Sequence, residues 1–187
     1  MPNQDLHIPQ TTGCRALLTH AQNAGGLHMS RAVEEHLVAL LYRHVGADIS
    51  PVDIEHGLLD RLDRLLHADT SKPCVVGDQC LLFAGLLPEH AIRKGLPVSY
   101  FVEVGRNAYR EYASKHRLPL YEQLAEEFVV AMDVLQTLRA LQSGEPCIDG
   151  LNAFHLWHDL GSAHGWRVLR ALTPSLPASC STSARVH

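Results

Sequence analysis

What this sequence lacks excludes more than what it contains. No C-x-x-C pair occurs, and the five cysteines, Cys14, Cys74, Cys80, Cys147 and Cys180, are odd in number and scattered along the chain. That distribution supports neither a disulfide framework nor a thiolate zinc site, and it predicts reduced thiols in a cytoplasmic setting. Lysine and arginine number 16 against 20 acidic residues, a net charge of −4. With no basic excess to neutralise a row of phosphates, nucleic acid is not an expected partner. Long apolar runs are short in supply too: the best, residues 75–87 (VVGDQCLLFAGLL), falls well below the roughly 20 residues that cross a bilayer, and the opening MPNQDLHIPQTTGCR has no apolar signal core. A membrane partner is not expected either.

Familiar chemical signatures are equally missing. There is no H-E-x-x-H, no phosphate-binding G-x-x-x-x-G-K, no G-x-S-x-G elbow and no dinucleotide glycine fingerprint. Di-iron bundles need Glu-x-x-His pairs that set two ligands on one helix face. Here the Glu-His pairs, Glu35-His36, Glu55-His56 and Glu89-His90, are adjacent and point apart. No cofactor is therefore expected.

What remains is the hydrophobic pattern of a helical protein. At 187 residues and 46% hydrophobic content the chain can bury one sizeable core. No strand-like alternation bounded by hairpin turns and no internal repeat interrupts the pattern. The expectation is an all-α single-domain bundle of five to seven helices over 30–172, between a loosely ordered arm at 1–29 and a flexible tail at 173–187 that is rich in Ser, Thr and Pro. The spacing predicts a helix over 30–46, capped by Ser30, with Val33, Leu37, Leu40, Leu41 and Val45 inward. A second, over 50–67, opens on Ser50 and Pro51 and turns Ile54, Leu58, Leu62, Leu65 and Leu66 inward.

The central helix is predicted at about 74–87, apolar on all sides and fenced by Pro73 and Pro88. A helix over 99–116 follows, capped by Ser99 and with Phe101, Val104, Ala108 and Tyr112 on its inner face. One long helix over 119–142 then buries Leu120, Leu124, Phe128, Ala131, Leu135 and Leu138, with Glu122, Glu126 and Asp133 on a different, polar side. One or two short helices between 151 and 172 complete the body.

Residues 77–113, GDQCLLFAGLLPEHAIRKGLPVSYFVEVGRNAYREYA, resemble a segment of a family of bacterial all-helical proteins to which no activity is assigned. The resemblance covers about a fifth of the chain. It implies a helical bacterial cytoplasmic protein and carries no catalytic residue with it.

Four constellations stand out. Gly77, Cys80 and Ala84 on the central helix and Gly105 with Ala108 on the next form two small-residue patches, suited to close backbone approach or to flooring a pocket. Asp78, on the apolar central helix, must find donors or take up a proton. Arg106 is the first candidate partner, through a bidentate guanidinium contact, with Tyr109, Tyr100 and Ser99 behind it. Asp78 is then either an internal lock or a functional acid, with Asp78, Arg106 and Tyr109 as the catalytic candidates. Glu103, Arg106 and Arg110, at i, i+3 and i+7 on one helix, are either a solvated face or a groove for an anion, with Tyr100, Glu103 and Arg110 as ligand-binding candidates. His155, His158, Asp159 and His164 are the densest set of possible metal ligands. The His158-Asp159 doublet also occurs in metal phosphohydrolases of the HD class, but no Asp or Glu follows Asp159 and the pattern departs from theirs.

Two functions are compatible with these features. One is a non-enzymatic binding or regulatory module that meets a protein partner or a second copy of itself through a helical surface, with Phe154, Trp157 and Trp166 as anchors. The other is a small-molecule or metal-dependent enzyme with a pocket beside Asp78 and Arg106.

Overall fold

The computed structural model describes residues 10–45, 72–93 and 95–173. Among them are nine helices and no strand: α1 Gln10–Gly25, α2 Arg31–Val45, α3 Pro73–Leu86, α4 Pro88–Arg93, α5 Val98–His116, α6 Pro119–Glu126, α7 Phe128–Ser143, α8 Gly150–Leu160 and α9 Ala163–Leu172. The all-α expectation holds, with a larger count of helices than five to seven. The helix expected over 50–67 lies outside the described residues, as do the first nine residues and all but the first of the C-terminal tail.

α3 is the axis. Pro73 occupies its first turn, where the missing N–H costs nothing, and every residue from Cys80 to Leu86 is buried. A helix apolar all round must be surrounded by other elements, and α5 and α7 supply most of that contact. The two small-residue patches do meet. A Cβ added to Gly105 would lie 2.9 Å from Cys80 Cβ and 2.5 Å from the Phe128 ring, and one added to Gly77 would overlap the Tyr109 ring. α1 covers α7 and α2 packs on α1 and α6, while α8 and α9 form a hairpin resting on α5 and α7.

Two expectations of layout change. The arm at 1–29 is helical from Gln10 onward, with Cys14, Leu18 and Ala21 in the core at i, i+4 and i+7. The long helix over 119–142 breaks at Glu127, which ends α6 and precedes α7 with φ −87° and ψ 10°. Nothing in the sequence marks this break with Pro or Gly. Its reason is tertiary: Glu127 Oε2 accepts the Ser30 backbone N–H at 2.7 Å, so the kink places a carboxylate at the N-terminus of α2, where the helix dipole favours negative charge. Pro97 rather than Ser99 precedes α5, and the buried face of α5 is Val98, Phe101, Val102, Gly105, Tyr109 and Ala113, one step round from the expected one.

Candidate functional site

Asp78 is buried in the first turns of α3, and its Oδ1 accepts two hydrogen bonds, from the Tyr109 hydroxyl at 2.8 Å and from His36 Nε2 at 2.8 Å. Arg43 Nη1 approaches Oδ2 at 3.9 Å from an exposed position. Three helices therefore converge on one carboxylate: α2 through His36 and Arg43, α3 through Asp78, and α5 through Tyr109. The Tyr109 ring is fully enclosed, edge-on to His36 and tilted against Tyr121 and Phe128. Burial, and then the Asp78 charge, push the Tyr109 hydroxyl well above its ordinary pKa. It is thus a fixed hydrogen-bond donor and not a proton source. Tyr121 is pushed up to about 12, by burial first and by the charges of Cys74 and Asp78 after it.

The expected Asp78–Arg106 pair does not form. Arg106 lies on another side of α5, where its Nε donates to the Ala125 carbonyl at 3.0 Å. The second-choice donor, Tyr109, is the one that binds, joined by His36, whose role the sequence did not suggest. Tyr100 leans on Phe101 with an exposed ring, and Ser99 faces elsewhere. The cavity that Arg106 lines does not include Asp78 among its lining residues.

Arg106 instead lines a groove between α5 and α8. A cavity of about 230 Å³ there is bounded by Ser99, Glu103, Arg106, Asn107, Arg110 and Leu160. A second, of about 130 Å³, adjoins it at Ser99 and runs along Asn152, His155 and Asp159. The structure thereby brings Glu103, Arg106 and Arg110 together and sets part of the His-Asp cluster next to them. Tyr100 is not among the lining residues.

The four suggested metal ligands divide. His158 Nδ1 lies 2.8 Å and His155 Nδ1 3.6 Å from the Asp159 carboxylate, all three on the surface of α8. These contacts, the His158 hydrogen bond first, hold the Asp159 carboxyl below its ordinary pKa. His164 is elsewhere, buried on α9 with Nδ1 3.1 Å from Thr137 Oγ1. Among the described residues no group of three or more His, Cys, Asp or Glu is arranged to hold a metal ion.

Asp133, assigned to the polar side of its helix by periodicity, is buried and forms a second polar centre. Its carboxylate accepts from Ser162 Oγ at 2.6 Å, the Ala163 N–H at 2.7 Å and the His164 N–H at 3.2 Å, capping α9 from α7. Burial outweighs these donors and raises its carboxyl to about 6. Beside it the Thr137 hydroxyl donates to the Asp133 carbonyl, so Thr137 Oγ1 can only accept from Arg167 and from His164 Nδ1. His164 is therefore neutral with its proton on Nδ1, its pKa lowered to about 4 by burial and then by the Arg167 charge. Its Nε2 has no partner among the described residues. The signal that could have located this centre is the S-A-H start of α9, a Ser N-cap whose first-turn N–H groups need an acceptor.

No helix among the described residues is long and apolar enough to cross a membrane. Compared with known protein families, with curated proteins and with solved structures, the chain matches none.

Proposed function

We propose that this chain is a non-enzymatic cytoplasmic binding module of bacterial type that acts through the outer face of α8, with a second copy of itself as the partner. One observation carries the reading. Leu151 at 68% and Leu172 at 58% are the most exposed large apolar side chains among the described residues, and Phe154 at 42% lies on the same helix as Leu151. Leu172 reaches the start of α8 at Gly150, next to Leu151, and Phe154 further along α8 stacks on His158. Covering such surface contributes roughly 25 cal/mol per Å². Trp157 and Trp166 stack on each other beside it, with ring centroids 4.8 Å apart, and stiffen the face. His155, His158 and Asp159 supply polar ring nitrogens and a carboxylate on the same helix, as a twofold contact between identical surfaces can use.

Asp78 fits this reading as a lock. Its donors are side chains of two other helices, which is what a group that fixes helix positions needs. The test is light scattering coupled to size exclusion, on the unmodified protein and on Phe154→Asp and Leu151→Asp. The expected result is a species of twice 20.7 kDa that the substitutions return to monomer with the helical spectrum unchanged. A monomer at every concentration up to high micromolar overturns the proposal.

A further inference from the structure

We propose that the groove between α5 and α8 binds a small hydroxylated organic anion, a sugar phosphate or hydroxy acid, with Arg106 and Arg110 holding the anionic head and Ser99, Asn152 and Asp159 meeting the hydroxyls.

Arg106 and Arg110 form no ion pair among the described residues. Arg106 is half-buried and pinned by one bond, Nε to the Ala125 carbonyl at 3.0 Å, which leaves its two terminal nitrogens without a partner among the described residues. Arg110 stands one turn on, and among the described residues its polar contact is a 3.4 Å bond from Nη1 to Asn107 Oδ1. Like charges at i, i+4 on a helix repel. Burial first, and Arg110 second, disfavour the charged form of Arg106. Glu103 borders the same cavity and forms an ion pair with neither arginine. An oxyanion between the two guanidiniums would relieve the repulsion and fill the vacant donors, because a guanidinium fork matches a carboxylate or phosphate edge.

Shape and the remaining polar groups define the rest of the ligand. The cavity beside the arginines continues past Ser99 into the one bounded by Asn152, His155 and Asp159. The two together fall near the lower end of the roughly 300 to 1,000 Å³ typical of ligand sites. Beyond the arginines the groove offers carboxylates, an amide and a hydroxyl, with Val98, Val102, Leu156 and Leu160 as its apolar floor. Glu103 and Asp159 disfavour further negative charge there and accept from hydroxyl hydrogens. A single anionic head on a hydroxyl-bearing body is the chemistry this arrangement fits. The site shares His155 and Asp159 with the α8 face proposed for self-association, but the arginines that hold the anionic head lie on α5.

Isothermal titration of the full chain with glucose 6-phosphate, malate, inorganic phosphate and glucose tests it. The expected result is saturable binding of glucose 6-phosphate or malate, weaker binding of phosphate and none of glucose. Arg110→Gln and Arg106→Gln should each weaken that binding roughly tenfold or more, the loss of one charge-assisted contact, while Arg117→Gln, remote from the groove, leaves it unchanged. Arg110 is exposed and bonds only within its own helix, so that variant stays informative even if Arg106→Gln unfolds. Failure of both organic anions to bind at about 10 mM, a free energy of only about −3 kcal/mol, overturns the proposal. So does binding that Arg110→Gln does not weaken, or phosphate bound as tightly as glucose 6-phosphate.

Discussion

Asp133 and His164 titrate in opposite senses within one buried network, and replacing the first exposes the second. The Asp133 carboxyl has a folded pKa of about 6 against 3.8 for a free side chain. The folded state thus binds the extra proton, and stability from this group is lost as pH rises from 3.8 through 6. For His164 the folded value of about 4 lies below the free value of 6.5. The unfolded state binds the extra proton there, so stability is gained as pH rises from 4 through 6.5. Between about pH 4.5 and pH 7.5 each contribution comes to about 2 kcal/mol, from linkage at 1.36 kcal/mol per pKa unit, and the two nearly cancel. In Asp133→Asn only the histidine slope remains.

Urea unfolding at the two pH values, read by the Trp157–Trp166 pair on α8 and α9, measures this. At the higher pH the variant should move toward or past the unmodified protein by about 2 kcal/mol relative to their difference at the lower pH. Superimposed on this is a pH-independent loss of about 1 to 3 kcal/mol, because an amide oxygen cannot serve all three donors. Every other titrating group contributes equally to both proteins and drops out of the comparison. A difference that is the same at both pH values would refute the reasoning. A shift of opposite sign would show that the three hydrogen bonds from Ser162, Ala163 and His164 outweigh burial.

Gly77→Ala and Gly105→Ala gain about 1 kcal/mol of helix propensity but must displace the enclosed Tyr109 and Phe128 rings, and overpacking of that kind costs about 1 to 3 kcal/mol; both should lower the urea midpoint. Gly13→Ala, where an added Cβ meets nothing within 4 Å, should raise it by up to about 1 kcal/mol. Tyr109→Phe removes one of the two close donors to Asp78 and should cost about 1.5 to 3 kcal/mol in chemical denaturation, and an unchanged midpoint would mean that Asp78 does not rely on that bond. Glu127→Ala should cost about 0.5 to 2 kcal/mol, as loss of a helix cap does, with faster amide exchange at the start of α2 as its local sign.

Periodicity located the helices that own an apolar stripe, and it failed where structure depends on a partner far along the chain. The stripe of Val33, Leu37, Leu40 and Leu41 is buried as read, because those residues and their spacing alone decide it. Gln10–Gly25 escaped notice because its inner face relies on small or sparse groups, Cys14, Leu18 and Ala21, and its sequence contains Gly13 and several polar residues. Periodicity sets Asp133 on the polar side with Glu122 and Glu126, and the donors that make its burial tolerable lie about 30 positions later. The same cause misdirected the search around Asp78. The α5 face is one step round from the expected one, which brings Tyr109 and not Arg106 to Asp78, while His36 sits 42 positions upstream on another helix.

The two buried carboxylates differ from the two groove arginines in where their hydrogen-bonding capacity goes. Asp133 takes three donors from the start of α9, and Asp78 takes two close ones from α2 and α5. Each ties side chains or backbone of separate helices together, so its geometry selects one arrangement among several of similar hydrophobic burial, as polar groups in a core can do. At Asp133 both oxygens are engaged in this way, whereas at Asp78 both close bonds fall on Oδ1; a general acid or base needs a lone pair directed at a reacting atom. Arg106 and Arg110 are in the opposite condition, since they border a cavity and no acid among the described residues pairs with them. If chemistry or recognition of a small molecule occurs on this chain, the outer side of α5 is where unspent polar capacity meets space.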